Sequence, residues 1–125
     1  TTLETRQQLV REQPDVVQRF VNATLEGWYS YLYGDRTAAN ALIQKDNPEM
    51  DSEQLAYSHS KMLEYGIVDS GDALKLGIGA MTDARWREFA DTMVKAGVYP
   101  ADLDLSKAYT LQFINKGHGM QLKKK

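Results

Sequence analysis

The sequence has no cysteine, only three prolines and no long run of apolar residues. The absence of cysteine excludes disulfides, thiolate nucleophiles and cysteine-ligated metals. No stretch reaches the roughly 18 apolar residues that a membrane-crossing helix needs, so we predict no membrane insertion. The opening residues TTLETRQQ lack the basic region and apolar run of a signal peptide. Either the chain is cytosolic or its leader has been removed, and we favour the second interpretation.

Positive and negative charges are nearly balanced in this sequence. Lys and Arg number 15 against 17 Asp and Glu, which gives a formal net charge of -2. This balance provides no strong field for attracting nucleic acid, and we predict no nucleic-acid partner. The lysines at 123–125 are a local exception, interpreted as a solvated end, with binding to an anionic surface as the alternative. With 125 residues, the chain is a single segment (1–125) long enough to form a core.

Apolar residues at helical spacing dominate the pattern, and only the first few residues resemble the end of a strand. The longest predicted helix begins at Pro14, a favourable first helical residue, and ends at Gly34. A shorter helix, capped by Asp35 and running toward Asn47 and Pro48, is expected from the apolar residues Ala38, Ala41, Leu42 and Ile43. The polar face of the long helix is lined by Asp15, Arg19, Asn22, Glu26 and Ser30. Its core face is predicted to contain Val17, Phe20, Val21, Thr24, Leu25, Trp28, Tyr31 and Leu32.

Two further helices are marked by their capping residues. Asp51, followed three residues later by Gln54, forms a capping-box pattern and predicts a helix that extends to Tyr65. Thr82 is a suitable N-cap for a second helix, which ends before Gly97. We expect these two helices and the long helix to pack their apolar faces together. The apolar face of the second helix consists of Trp86, Phe89, Ala90, Met93 and Val94.

The remaining segments are less regular. Residues 67–81 lose the helical period and collect glycines and aspartates, which predicts a long structured loop. Such loops in compact domains are often functional. After the last long helix, the sequence predicts a weak turn at 102–107 and a short helix over 109–114.

The loop sequence KLGIGAMT at 75–82 raises the question of phosphate binding. It lacks the lysine and the glycine spacing of a P-loop, and no strand precedes it as a dinucleotide fingerprint requires. Helix initiation at Thr82 explains most of it. Gly77 and Gly79 remain, and they indicate either tight turning or close approach of the backbone to another group. The exposed amides of such a turn are an alternative site for an anion.

No other residues form a catalytic or metal-binding pattern. His59 and His118 have no ligand or nucleophile at motif spacing, and the pairs Asp69 with Asp72 and Asp102 with Asp104 fit turn and cap roles. We therefore predict no metal, no cofactor and no catalytic residue.

The WYSYLY run at 28–33 places two tyrosines near the polar face of the long helix. Tyr29 and Tyr33 lie four residues apart, as neighbours on a helix surface do. Two interpretations stay open: an exposed tyrosine pair of no further role, or a surface for a ligand, another chain or a missing part of the protein.

The order of three motifs resembles the C-terminal portion of the periplasmic solute-binding proteins of the nitrate/sulfonate/taurine and thiamine-pyrimidine importer family. The first, "P-x-x-V-x-x-F-V-x-A-T-x-x-G-W", follows a threonine-ended strand in that family and here covers residues 14–28. The second, "G-x-M-T-x-x-R-W", covers residues 79–86 and leads to "A-G-V" at 96–98. The third, "Y-T-x-x-F", covers residues 109–113.

The resemblance implies a two-lobed α/β binding protein that closes on a small anionic or pyrimidine-like solute and delivers it to an ABC permease. This chain would be its last part, an all-α segment without its N-terminal lobe, and not an enzyme. The implied location is periplasmic, or extracellular and membrane-associated in Gram-positive bacteria. The candidate ligand contacts are Gly77, Gly79, Met81 and Trp28. Exposed apolar surface should then lead to a homo-oligomer.

Two alternatives differ in class. The first is an enzyme of thiamine-pyrimidine synthesis, which in the eukaryotic relatives of this family uses a cysteine-rich motif and a reactive lysine in the earlier part. The absence of cysteine gives that activity no support here. The second is a free-standing helical interaction module that uses Tyr29, Tyr33 and the lysines at 123–125.

Overall fold

The computed structural model describes residues 2–123, and within them the chain is all-α, with no strand. The expected strand end in the first few residues is wrong, because residues 2–6 are irregular and lead into a short helix. The α-helices are α1 (Gln7–Glu12), α2 (Pro14–Tyr33), α3 (Thr37–Asp46), α4 (Ser52–Glu64), α5 (Ala73–Leu76) and α6 (Asp83–Lys95). Two 3-10 turns follow, at Leu105–Lys107 and Met120–Leu122.

The helix starts confirm the capping predictions. Pro14 occupies the first turn of α2. The Asp51 side chain accepts a hydrogen bond of 2.7 Å from the amide of Gln54, and Thr82 accepts one of 3.2 Å from Arg85. Side-chain caps of this kind satisfy amides that have no partner inside the helix. These boundaries are therefore set by local sequence.

The core forms around one face of α2. It consists of Val17, Val21, Leu25, Tyr29, Leu32, Ile78 and Phe113. Five of these come from α2, and the other two come from irregular segments, the loop after α5 and the stretch near the C-terminus. The expected packing of three apolar helix faces is thus wrong for α6, which contributes nothing to this cluster. Phe89 on α6 remains 46% exposed.

The rotation of α2 also differs from the prediction. Phe20, expected in the core, is 62% exposed, and Trp28 is 38% exposed. Tyr29, expected near the polar face, is only 1% exposed and is the most deeply buried large side chain. Apolar residues cover more than half of the circumference of α2, so periodicity alone leaves open which arc faces the core. The structure selects the arc through positions 17, 21, 25, 29 and 32.

The short helix predicted over residues 109–114 is wrong. This stretch is irregular, and it leads into a segment, residues 113–123, that we call the C-terminal strap. Phe113 enters the core, and Asn115 adopts a left-handed φ of 63°. The Gly117 amide donates to the carbonyl of Leu76 at 3.1 Å. These contacts and the left-handed backbone at Asn115 require an irregular, turning course that a helix would not provide.

Candidate functional site

Tyr29 is the point where α2, the loop after α5 and the C-terminal strap meet. Its hydroxyl accepts a hydrogen bond of 3.0 Å from the buried amide of Ile78. The backbone at Gly119 lies against the other side of the ring, where a Cβ atom would stand only 2.7 Å from Cδ2 of Tyr29. Sequence reasoning missed this residue as a core position. The available signal was its spacing of four residues from Leu25, which is itself four residues from Val21.

Gly77 and Gly79 lie at this junction, where the loop after α5 turns against α2 and the C-terminal strap. Both have a left-handed φ, at 95° and 80°. A Cβ on Gly77 would lie 3.3 Å from Cα of Gly117, and one on Gly79 would lie 2.8 Å from the side chain of Leu25. The prediction that these glycines allow tight turning or close approach of the backbone to another group is confirmed. Their neighbours are parts of the same chain.

The amides of the same loop are largely engaged in internal hydrogen bonds. Ile78 donates to Tyr29, and Ala80 donates to the carbonyl of Gly77. Met81 is held on both sides by Asn115, whose side chain accepts from its amide at 3.2 Å and donates to its carbonyl at 2.7 Å. Anion binding by this turn stays a prediction, and few amides are left to serve it.

Trp28 lies on α2, three residues after Leu25, and is 38% exposed. It forms no hydrogen bond and no ring contact with another side chain within residues 2–123. The structure thus gathers Gly77, Gly79 and Met81 at one junction, and no such contact joins Trp28 to them. Together with Ala23 and Gly27, the exposed apolar residues Val16, Phe20 and Trp28 form what we call the outer arc of α2.

A polar cluster ties the end of α2 to the C-terminal strap. The Asp69 carboxylate, whose side chain is 5% exposed, accepts hydrogen bonds from Tyr33 at 2.6 Å and from Lys123 at 2.7 Å. Burial raises the pKa of Asp69, but the hydrogen bonds from Lys123 and Tyr33 outweigh it and leave the pKa below its usual value. Burial and the adjacent Asp69 raise the pKa of Tyr33. Lys123, counted above as part of a solvated end, is therefore anchored, while residues 124 and 125 lie outside the described residues.

Two more contacts fix the strap along α2. Gln18 donates to the Phe113 carbonyl at 2.9 Å and accepts from Lys116. His118 lies 2.7 Å from the carboxylate of Glu26. Because the contacts run from residue 18 to residue 33 on α2 and from 113 to 123 on the strap, the two segments run parallel. The strap therefore lies along α2 from residue 18 to residue 33.

The two histidines have structural partners. His59 is buried, and its Nε2 lies 3.1 Å from the carbonyl of Leu32, with the ring edge-on to Tyr31. His118 pairs with Glu26 as described. Within residues 2–123, no group of three His, Cys, Asp or Glu side chains is arranged to hold a metal ion.

A shallow groove of about 400 Å³ lies beside the start of α6. The rings of Trp86 and Tyr109 stack beside it, parallel and 4.7 Å apart, and Tyr109 donates to Asp83 at 2.6 Å. The tryptophan of the second motif thus packs on the tyrosine of the third. The residues lining the groove are Asp83, Arg87, Leu105, Ser106, Tyr109, Thr110 and Leu111. The groove is open to solvent, and its charged side chains, Asp83 and Arg87, are exposed.

Comparisons with protein-family models, with curated proteins and with solved structures find no match for this chain. No helix within residues 2–123 has the length and apolarity to cross a bilayer.

Proposed function

We propose that this chain is the C-terminal portion of the extracytoplasmic substrate-binding component of an ABC importer for a small anionic or pyrimidine-like solute. In this proposal it has no catalytic role, and it acts together with a preceding lobe and a membrane permease. The location is then periplasmic, or extracellular and attached to the membrane in a Gram-positive organism.

The main support for the proposal is the order of the three motifs together with the structural role of each motif in the fold. The proline of the first motif starts α2, and the threonine of the second caps α6. The aromatic residues of the third motif divide between the ring of Trp86 and the core, through Tyr109 and Phe113. Each motif thus sits where its residue types have a physical use, which supports reading them as one inherited pattern.

Exposed apolar surface gives further support. Large apolar side chains outside α2 are open to solvent, and an adjoining lobe would cover a surface of this kind. These side chains include Leu42 on α3, Tyr57 on α4, Phe89 on α6 and Val98 after it. The alternative of a helical interaction module that uses Tyr29 and Tyr33 is weakened, because Tyr29 is buried and unable to contact a partner.

The test begins with the coding sequence upstream of Thr1. We expect a secretion or lipoprotein signal followed by a sheet-forming lobe. The intact product should then be screened by thermal shift against nitrate, taurine and the thiamine pyrimidine. We expect at least one to raise its melting temperature, because a ligand that binds only the folded state stabilises it.

The 125-residue chain alone is the control, and it should show no shift with the same solutes. An upstream sequence without a signal and without a sheet-forming lobe would refute the proposal. So would a solute that shifts the isolated chain as much as the intact protein, because the site would then lie within the helical segment alone.

A further inference from the structure

The outer arc of α2 has large residues in its first half and small residues in its second half. Val16 and Phe20 are large and exposed, while Ala23 and Gly27 are small and follow at three- and four-residue spacing. Spacings of four, three and four residues keep these positions on one face of a helix. The arc therefore has a ridge in its first half and a depression in its second half.

The depression at Gly27 is open in this chain. A Cβ atom built on Gly27 would have no other atom within 4 Å. Phe20, seven residues earlier, is 62% exposed. Seven residues are about two turns, or roughly 10 Å along the axis. An exposed aromatic ring and an open notch thus lie on the same face at a fixed separation.

We propose that the outer arc of α2 is a self-association surface that pairs with the same arc of a second copy, antiparallel and around a two-fold axis near Ala23 and Thr24. In this arrangement Phe20 of each copy fills the notch at Gly27 of the other. Trp28 of each copy packs beside the partner copy's aromatic ring. A two-fold interface of this kind uses each contact twice.

The charges beside the arc match this pairing. Arg19 and Glu26 flank the same edge of the arc, and both are exposed, with one carboxylate oxygen of Glu26 in contact with His118 of the strap at 2.7 Å. In an antiparallel pair, the same edges of the two helices face each other, so Arg19 of one copy lies opposite Glu26 of the other. A parallel pair would lack this match. Opposite charges at the edge select orientation more than they add affinity.

The proposal is independent of importer function, since it concerns the 125-residue chain without solute. Sedimentation equilibrium over a wide concentration range should show a monomer and a dimer. Phe20→Ala should raise the dissociation constant by at least about tenfold, because each change removes two central contacts from the interface. Tyr57→Ala, at an equally exposed tyrosine on α4, is the control and should leave the constant unchanged.

Gly27→Leu separates association from folding. Leucine favours the helix over glycine and has open space at this position, so the variant should fold at least as stably as the wild type. It fills the notch, however, and should also raise the dissociation constant at least about tenfold. Asp91→Leu, which adds a leucine to the exposed face of α6, is the matched control.

Two further variants test the geometry. Arg19→Glu should weaken the dimer, and combining it with Glu26→Arg should restore most of the loss. Because Glu26→Arg also removes the contact with His118, the free energy of unfolding of each variant is measured at a monomeric concentration as the control. Because the chain has no cysteine, Ala23→Cys should form a disulfide-linked dimer on mild oxidation, whereas Glu53→Cys on α4 should not. A chain that stays monomeric at high concentration, or an association unaffected by Phe20→Ala and Gly27→Leu, would overturn the proposal. So would cross-linking through Glu53→Cys alone.

Discussion

Removing only the hydroxyl of Tyr29 tests whether the junction between α2 and the following loop is as the structure shows. Tyr29→Phe keeps the ring and its packing but removes the acceptor of the Ile78 amide, which is 3.0 Å away. Both residues are buried, so water has no ready access to the abandoned amide. A buried donor left without a partner costs about 1–3 kcal/mol. We expect the free energy of unfolding to fall by that amount.

The measurement is urea unfolding followed by helical circular dichroism, at a concentration where the chain is monomeric. The slope against urea should be unchanged, because the variant exposes the same surface on unfolding. Tyr57→Phe is the matched control, since Tyr57 is exposed and its hydroxyl has no hydrogen bond to another residue in the range 2–123. A surface change of this kind should stay within about 0.5 kcal/mol.

Hydrogen exchange tests the same contact at the backbone amide of Ile78 itself. The Ile78 amide should exchange faster in Tyr29→Phe than in the wild type, by more than the global loss of stability explains, because its own bond has been removed. If Tyr29→Phe and Tyr57→Phe destabilise equally, or if the Ile78 amide is already unprotected in the wild type, the reasoning about this junction is refuted.

Three further outcomes are expected. Gly119→Ala should destabilise the chain by more than about 1 kcal/mol in thermal or urea unfolding, because φ is 83° and the new Cβ would meet the Tyr29 ring, whereas Gly71→Ala, with a φ of 56° and open space, should cost less. The pKa of Asp69 is lowered in the folded chain, so its contribution to stability is fully present above the pKa of the unfolded chain and is lost as the pH falls through the lower folded pKa; Asp69→Asn should flatten this acid limb of the stability profile. Trp86→Ala should cost about 0.5–1.5 kcal/mol beyond its lost burial by removing the stack on Tyr109, and Tyr109→Leu added to it should cost less than the sum of the two single changes; strict additivity would contradict the stack.

The sequence predicted those helix starts that depend on neighbouring residues. Asp51 and Thr82 form their caps with amides three residues away, so no tertiary information is needed. The rotation of α2 was not predictable in the same way, because its apolar residues cover more than half of the helix. Which arc becomes buried depends on Ile78 and Phe113, which are distant in sequence.

The junction was predicted in part for a similar reason. The glycines at 77 and 79 pointed to close backbone approach, and Gly117 with Leu25 supplies it. Nothing in the local sequence identifies Asn115 as the residue that holds Met81, since that contact joins two irregular segments. The local sequence predicts a turn role for Asp69, whereas in the structure its buried carboxylate is the hydrogen-bond partner of Tyr33 and Lys123. Such assignments need the three-dimensional course of the chain.

The strap has a consequence for how the chain acquires its fold during synthesis. The side chain of Gln18 forms hydrogen bonds with Phe113 and Lys116, which are synthesised more than ninety residues later. Until the strap has been synthesised, α2 therefore has an inner face that only earlier segments, such as the loop with Ile78, can cover. Because contacts of such long sequence separation form late, completion of the core is expected only after the strap itself has left the ribosome. Until then the nascent polypeptide exposes apolar surface of the kind that chaperones bind.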